Sequence, residues 1–428
     1  MRRRLFEAVR WLVAAPAAIA LALVAGAERR RTVSSRRRGD RPRLVYGPTP
    51  IISIKYMSEA MRRRRYDTLT YVYGVAAINR RDDFDMSFHD LLGGSTARLA
   101  VRLRTLVGPY TAFARVLRRG DVFHFFFDGG FLRETPLRFL ELQLLHLAGK
   151  KVVAMPYGGD VAVPSEIASE PFRAALAADY PELVEREPIT RRWIRYFSRH
   201  ADCTVACVVH AETMPRRDLV TTHYYPIDTD EWAPRNGGRE DELVTVFHAS
   251  NHRAMKGTEH LVRACRELQA EGERIELALA EGMPNEEVRR SMRAADIVAE
   301  QFVLGYALTA MEAMSLGKPV LSNLDDADYY APFRAHTGLD ACPIVSTPPE
   351  RLKATLRELA ADPDRRAELG RAGRRYVLAY HGYEPVGRMW ELVYRRIWHG
   401  DDVQLGFWNP AADVPEGAAI ASRAEARR

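Results

Sequence analysis

The stretch from Asp296 to Ser322, DIVAEQFVLGYALTAMEAMSLGKPVLS, restricts the fold more than any other part of this chain. Its apolar run Ile297-Val298-Ala299 predicts a buried strand. Gly305 marks a turn, and Tyr306 to Leu316 has the apolar spacing of a helix. Gly317 stands where a helix C-cap glycine belongs and Pro319 follows as a stop. Val320-Leu321 then returns as a second strand. A strand–helix–strand unit of this kind belongs to a parallel sheet. A helix opening at a glycine turn presents unbonded N–H groups and a positive dipole end above the strand tips, which suits an anionic phosphate. Gly305 is the predicted phosphate turn, and Glu312, about two turns into the helix, carries a carboxylate suited to a vicinal diol such as a ribose.

A chain of 428 residues predicts two domains with appendages. The net charge of +7 is concentrated at one end: residues 1–43 hold twelve Arg and three acids. The remainder is close to neutral, so the body lacks the basic footprint of a nucleic-acid binder. Four cysteines, Cys203, Cys207, Cys265 and Cys342, lack the paired spacing of a zinc site and read as buried thiols.

The central stretch resembles the nucleotide-binding half of GT-B-fold glycosyltransferases, in the retaining family 4-like group (glycosyl transferases group 1). That family carries EGFGLPxLEAMxxGxPV. Gly305, Tyr306, Leu308, Glu312, Ala313, Met314, Gly317 and Pro319 fall in register with it. The resemblance implies that Glu312 binds the ribose. Leu304 stands where the family has its first Glu, and Glu300, at the strand end, is the nearest carboxylate to substitute for it.

A second match lies upstream. Leu243 to Ala249 predicts the first strand of a new sheet, followed by a polar loop, Lys256-Gly257-Thr258 and a helix to about Glu271. Cations and a helix N-terminus converge on one strand end, which suits a diphosphate. HASNHRAMKGTEHL is similar to a subgroup whose loop reads HAPNHRxxKGT, and the resemblance assigns Arg253, Lys256, Gly257 and Thr258 to the donor diphosphate.

The N-terminal half resembles the family more weakly. Arg43 to Tyr46 predicts a strand ending in Gly47-Pro48-Thr49-Pro50, read either as a ligand-facing loop or as a plain tight turn. DVFHFFF, residues 121–127, predicts a buried strand. Where relatives have D-x-x-H-x-H it keeps His124 and has Phe126. His124 reads as a satisfied core histidine or as a group near the sugar. Pro136 to Ala148 predicts a helix and Lys151 to Met155 a strand, leading into Tyr157-Gly158-Gly159-Asp160. This loop is similar to the family's HGSD or HGTD. Gly158 and Gly159 allow close approach of a ligand, and Asp160 either holds a sugar hydroxyl or caps a helix. The segment PIDTDEWAP from Pro226 resembles the family's interdomain passage.

Residues 1–42 form a leader. Trp11 to Ala27 is an uncharged, mostly apolar run between Arg triplets. Three functional readings are open: a single span holding the body in the cytoplasm, a helix lying in an anionic membrane interface, or a signal peptide ending at Ala25-Gly26-Ala27. A start codon further along the chain is the bland alternative.

The expected architecture is α/β: a GT-B fold of two Rossmann-like domains whose parallel sheets face an interdomain cleft. The boundaries are a leader 1–42, an N-terminal acceptor domain 43–225, a C-terminal donor domain 226–375, closing helices 376–403 that cross back, and a disordered tail 404–428. The resemblance implies transfer of a sugar from a nucleotide-diphosphate donor to a hydroxyl acceptor, a glycan or lipid-linked glycan. It also implies retention, no cofactor and no metal. Glu300, Asp160 and His124 are the catalytic candidates. Asp325-Asp326-Ala327-Asp328 reads as a solvated loop rather than a metal motif. The leader predicts a cytoplasmic protein associated with the inner face of a membrane. The alternative in another class is a non-catalytic protein of this fold that binds nucleotide or glycan, and a sugar-nucleotide epimerase ranks last.

Overall fold

The computed structural model describes residues 2–75, 79–88, 98–234, 243–303, 305–325 and 334–410. Leu304, Asp326 to Asp328 and the tail beyond residue 410 lie outside them. The chain divides into two compact units. One comprises Met1–Ile167, Glu182–Leu219 and Trp390–Gly406; the other comprises Ala168–Pro181, Val220–Met389 and Phe407–Arg428.

The first unit is built on a parallel sheet. Its spatial order is Met86–Ser87, Thr68–Val72, Leu44–Tyr46, Val122–Phe125, Lys151–Ala154 and Cys203–Cys207, and Leu219–Thr221 and Gly406–Phe407 extend the edge. The strand order reverses between Leu44–Tyr46 and Val122–Phe125, which pair in parallel from Leu44 opposite Val122. Helices cover both faces of such a sheet, so its strands read as continuous apolar runs: Leu44, Val45, Tyr46, Phe123 and Phe125 are all buried.

Two elements are shorter here than their apolar pattern predicts. The strand expected over 121–127 ends at Phe125. Phe126 and Phe127 stay buried, but the Phe127 N–H leaves the ladder for the Asp160 carboxylate, 2.9 Å away. The helix expected over 136–148 is confined to Glu141–Leu147. The buried Glu141 accepts the N–H groups of Phe131 and Leu132 at 2.8 and 2.9 Å, which folds the preceding loop around its side chain.

The second unit carries a five-stranded sheet in the order Val345–Ser346, Val320–Ser322, Ile297–Ala299, Val244–Ala249 and Ile275–Ala280, with every pairing parallel. The reversal point lies between Val244–Ala249 and Ile297–Ala299. In open α/β sheets, ligands bind beyond the strand C-termini at such a point. Val246, Leu261, Leu268, Ile297, Leu321 and Leu356 form part of the core that joins this sheet to its helices.

The helix bearing Glu312 runs over Leu308–Ser315 rather than 306–316. Ala307 is extended, and the Tyr306 hydroxyl lies 3.0 Å from His381 Nε2, which removes Tyr306 from the first turn. This short helix packs closely on Pro363–Tyr380. A Cβ on Gly370 would lie 1.9 Å from the Gly317 carbonyl oxygen, and one on Gly373 would lie 3.1 Å from Met314 Cγ.

Residues 404–410, expected as the start of a tail, hold the short strand Gly406–Phe407 and the buried Trp408. The leader is one helix, Arg2–Arg37, that continues through Pro16. The four cysteines are free thiols; Cys203, Cys207 and Cys265 are buried, and Cys342 is half-buried.

Gly370→Ala is expected to lower stability by about 2–4 kcal/mol, because backbone rather than a movable side chain opposes the new methyl. The change is read as a lowered Tm, with Arg371→Ala, one position along the same helix, as the neutral control.

Candidate functional site

The strand Val244–Ala249 runs into Ser250 and then a single helical turn, Arg253–Lys256. Gly257, at φ +65°, ends that turn and opens the helix Thr258–Ala270. A side chain at Gly257 would press on Phe302, because a Cβ there would lie 3.1 Å from Phe302 Cβ. The loop is therefore held down over the end of the neighbouring strand. The Phe302 N–H donates to the Lys256 carbonyl at 3.1 Å, joining the two strand ends.

This proximity brings Lys256 onto Glu300, the first residue after Ile297–Ala299. The Lys256 ammonium donates to Glu300 Oε1, and the Ala307 N–H donates to Glu300 Oε2 at 3.2 Å. Glu300 is 1% exposed, so its carboxylate sits at the buried root of the reversal point, while Lys256 is half-buried. Beneath it, His248 Nδ1 lies 2.8 Å from the Ala299 carbonyl, and Thr258 Oγ1 lies 2.9 Å from both His248 Nε2 and Ser250 Oγ. Burial lowers the His248 pKa to about 4, so the imidazole is neutral. It donates through Nδ1 and ties strand, loop and helix together. Thr258, assigned by resemblance to the diphosphate, is fully buried in this network.

Arg253 is more exposed and pairs with two acids, Glu259 and Glu281, each at 2.6 Å. A contact invisible in the local sequence comes from Ala168–Pro181, which belongs to this unit although its chain neighbours belong to the other. Asp179 accepts the Met255 N–H at 2.7 Å, and Tyr180 stacks on His252 with centroids 4.5 Å apart. The loop that carries both cations is thus fastened by Asp179, which lies 76 positions upstream of its partner, and by the adjacent Tyr180.

Gly305 does not present a free N–H as the sequence suggests. At φ +72°, its N–H donates to the Asn323 carbonyl at 2.7 Å, and its own carbonyl accepts from Ser322 Oγ. The left-handed glycine acts as a tie between the strand ends, and the helix opening behind it begins at Leu308.

Glu312 is half-buried, and its carboxyl has no hydrogen bond among the described residues. Burial pushes its pKa up from 4.5 to about 8, opposed by the positive charge of Arg289 and reinforced by Glu231. Arg289 pairs with Glu231 at 2.6 Å and lies over the Trp232 ring, 4.8 Å from its centroid. Trp232 Nε1 and Arg289 Nε are buried donors without a hydrogen-bond partner among the described residues. The sequence reading named none of these three residues. The aromatic in PIDTDEWAP was their only local signal.

In the first unit the candidates are engaged internally. His124 lies in the core, 1% exposed and stacked on Tyr46 with centroids 4.3 Å apart. Its Nδ1 contacts the Val45 carbonyl at 3.3 Å and its Nε2 lies 2.9 Å from the Tyr394 hydroxyl. Burial lowers its pKa to about 3, so it is a neutral core histidine. Phe126 is buried edge-on to Tyr157. Asp160 accepts three N–H groups, from Phe127, Tyr157 and Gly158, at 2.8–2.9 Å. It fastens its loop to the neighbouring strand end, while burial and the Asp128 carboxylate push its pKa up to about 7. Gly158, at φ +137°, places its Cβ direction 3.8 Å from the His210 ring, and Gly159 lies against Leu183. Gly47 is required by close approach: at φ +142°, a Cβ there would lie 2.1 Å from the Tyr71 carbonyl oxygen. Beside it Thr49 donates to Asp128 at 3.0 Å, and Asp128 pairs with Arg133 at 2.7 Å. Of this polar cluster, Thr49 belongs to the loop that the sequence reads either as ligand-facing or as a plain turn, while its pairing through Asp128 with Arg133 depends on the fold.

No protein-family model matches the chain, and no curated protein matches its sequence. Its structure is similar to solved glycosyltransferase-type folds. Anabaena HepE, solved in complex with UDP-glucose, aligns with a TM-score of 0.51 at 12% identity, covering 82% of this chain and 98% of that one. The catalytic domain of starch synthase IV from Arabidopsis thaliana, bound to ADP and acarbose, aligns with a TM-score of 0.55 at 11% identity, covering 83% and 99%. Two parallel α/β sheets with these neighbours define a GT-B fold.

Two measurements check the local physics. Lys256→Met leaves Glu300 buried without its cation and is expected to cost about 3–5 kcal/mol; adding Glu300→Gln restores most of it, read by denaturant unfolding. For Glu312 the sign follows from its raised folded-state pKa. The folded chain holds a proton that the unfolded chain releases, so the residue's contribution to stability falls as pH rises from 4.5 towards about 8. Glu312→Gln should therefore raise Tm at pH 8.5 and change it little at pH 4.5. A Tm difference independent of pH would show that the carboxyl is not shifted.

Proposed function

We propose that the chain is a glycosyltransferase that moves a sugar from a nucleotide-diphosphate donor to a hydroxyl acceptor, a glycan or glycolipid, with retention of configuration and without a metal. The observation that carries this reading is the meeting of Lys256, Glu300 and the opening of the Leu308–Ser315 helix at the reversal point of one parallel sheet, with the Glu312 carboxyl, which has no hydrogen bond among the described residues, on that helix. Transfer needs stabilisation of a leaving diphosphate and of an oxocarbenium-like sugar. An ammonium carries three donors, so Lys256 keeps its bond to Glu300 while offering another to a phosphate oxygen. The first N–H groups of the helix supply further donors. Glu312 takes the ribose hydroxyls, and Glu300 is the carboxylate nearest the developing positive charge of the sugar. The two structural neighbours were solved with UDP-glucose and with ADP, which supports a nucleoside-diphosphate donor and leaves its base open.

One observation favours a second reading. His124 and Asp160 are both committed within the first unit, so a protein that binds nucleotide or glycan without catalysis fits them equally.

A thermal-shift series with UDP, GDP, ADP and TDP tests the site. The matching nucleotide at about 100 times Kd is expected to add about 2.7 kcal/mol of stability. Lys256→Ala and Glu312→Ala should each abolish the shift. Turnover separates the readings: in the transferase, Glu300→Gln lowers sugar transfer by at least about 100-fold and leaves nucleotide binding within a few-fold. Donor turnover unchanged in all three variants would remove the site assignment.

A further inference from the structure

The N-terminal helix Arg2–Arg37 is long and apolar enough, within residues 7–37, to cross a membrane by length and composition. The structure places it differently. It lies along the first unit, packed on the helices Arg98–Arg119 and Glu141–Leu147. Ala14, Leu21, Ala25 and Thr32 are buried, and their spacing of seven, four and seven residues is one helical face.

Arginines pin this face to the body at both ends by donating to main-chain carbonyls. Arg10 donates to that of Glu134. Arg31 donates to that of Arg118 at 2.8 Å, and Arg36 to that of Gly149 at 2.5 Å. The Arg36 guanidinium also stacks over Trp398, 4.7 Å from the ring centroid. Between Arg10 and Arg36 the helix covers about 40 Å, so a span of about 30 Å cannot be drawn from it without breaking these contacts.

The opposite face, with Leu12, Ile19 and Leu23 at 66–74% exposed, is uncovered by any described residue; Trp11, 57% exposed, flanks it, and residues 11–27 contain no charged side chain. At the end of this stripe begins a basic cluster: Arg29, Arg30 and Arg37 on the helix, with Arg118 and Arg119 on the helix beneath, all exposed; Arg38, in the turn after it, is paired with Asp40 at 2.6 Å. An apolar stripe ending in concentrated positive charge is complementary to a surface that is apolar below and anionic at its headgroups. A second copy packed in parallel on this stripe would bring two such arginine clusters together and is disfavoured by like-charge repulsion; an antiparallel copy is an outcome that the self-association arm of the test reads.

We propose that this docked helix is a monotopic membrane anchor: it seats the first unit on an anionic bilayer through Trp11, Leu12, Ile19 and Leu23, and it does not cross the bilayer. The proposal is independent of the transferase reading.

Flotation of the full chain with vesicles tests it, comparing a phosphatidylcholine bilayer containing about one third phosphatidylglycerol with phosphatidylcholine alone, at about 0.1 M and about 1 M salt. The expected result is at least tenfold stronger binding to the anionic vesicles, weakened by salt and fully extracted by alkaline carbonate. The triple variant Leu12→Glu, Ile19→Glu, Leu23→Glu should reduce binding at least tenfold with Tm unchanged. Arg30→Gln with Arg37→Gln should remove the preference for anionic vesicles, and this pair serves should the triple variant fail to fold. Equal binding to both vesicle types, full binding by the triple variant, or resistance to carbonate overturns the proposal. So does self-association that the triple variant abolishes in a chain that binds no vesicles.

Discussion

The buried ion pair between Lys256 and Glu300 is the contact on which the second unit's site depends. Taking two charges out of water is expensive, and a pair survives burial only where further hydrogen bonds satisfy it. Here the Ala307 N–H supplies one of those bonds, and the Phe302 N–H fixes the backbone of Lys256 itself. These contacts join the ends of two strands that neighbour each other only because the strand order reverses there. The pair thus fastens the reversal point and leaves a cation at the mouth of it. A phosphate arriving at that cation meets an ammonium already oriented by Glu300, which reduces the ordering that binding would otherwise require.

The strand–turn–helix pattern around Glu312 and the Lys256-Gly257-Thr258 turn were legible in sequence, because both are local. A left-handed glycine, an apolar strand and a helical spacing each leave marks within about a dozen residues. What was not legible depends on distant partners. Asp179 reaches Met255 across 76 positions, and Tyr394 reaches His124 across 270. Phe126 and His124 share one strand, yet only tertiary packing decides that His124 is enclosed by Tyr46, Trp390 and Tyr394. Gly305 shows the same limit on a smaller scale. Its conformation was readable, but its N–H is consumed by Asn323, a partner that the parallel pairing of Ile297–Ala299 with Val320–Ser322 brings alongside.

The two units differ in how they treat their polar groups. In the first, the groups that resembled a site are satisfied: His124 has partners on both ring nitrogens, and Asp160 accepts three N–H groups. In the second, among the described residues, the Glu312 carboxyl has no hydrogen bond and Trp232 Nε1 and Arg289 Nε are buried donors without partners. Glu312 interacts electrostatically with Arg289, which stacks on Trp232, so the three form one neighbourhood. Unsatisfied buried polar groups are rare because each costs about 1–3 kcal/mol, and two such donors beside a half-buried carboxyl require a reason. A ligand that presents hydroxyls to Glu312 and acceptor atoms to the two donors would recover that cost on binding. Burial raises the pKa of Glu312 against the opposing positive charges of Arg289 and Lys256, and a carboxyl that keeps its proton both donates to and accepts from a diol.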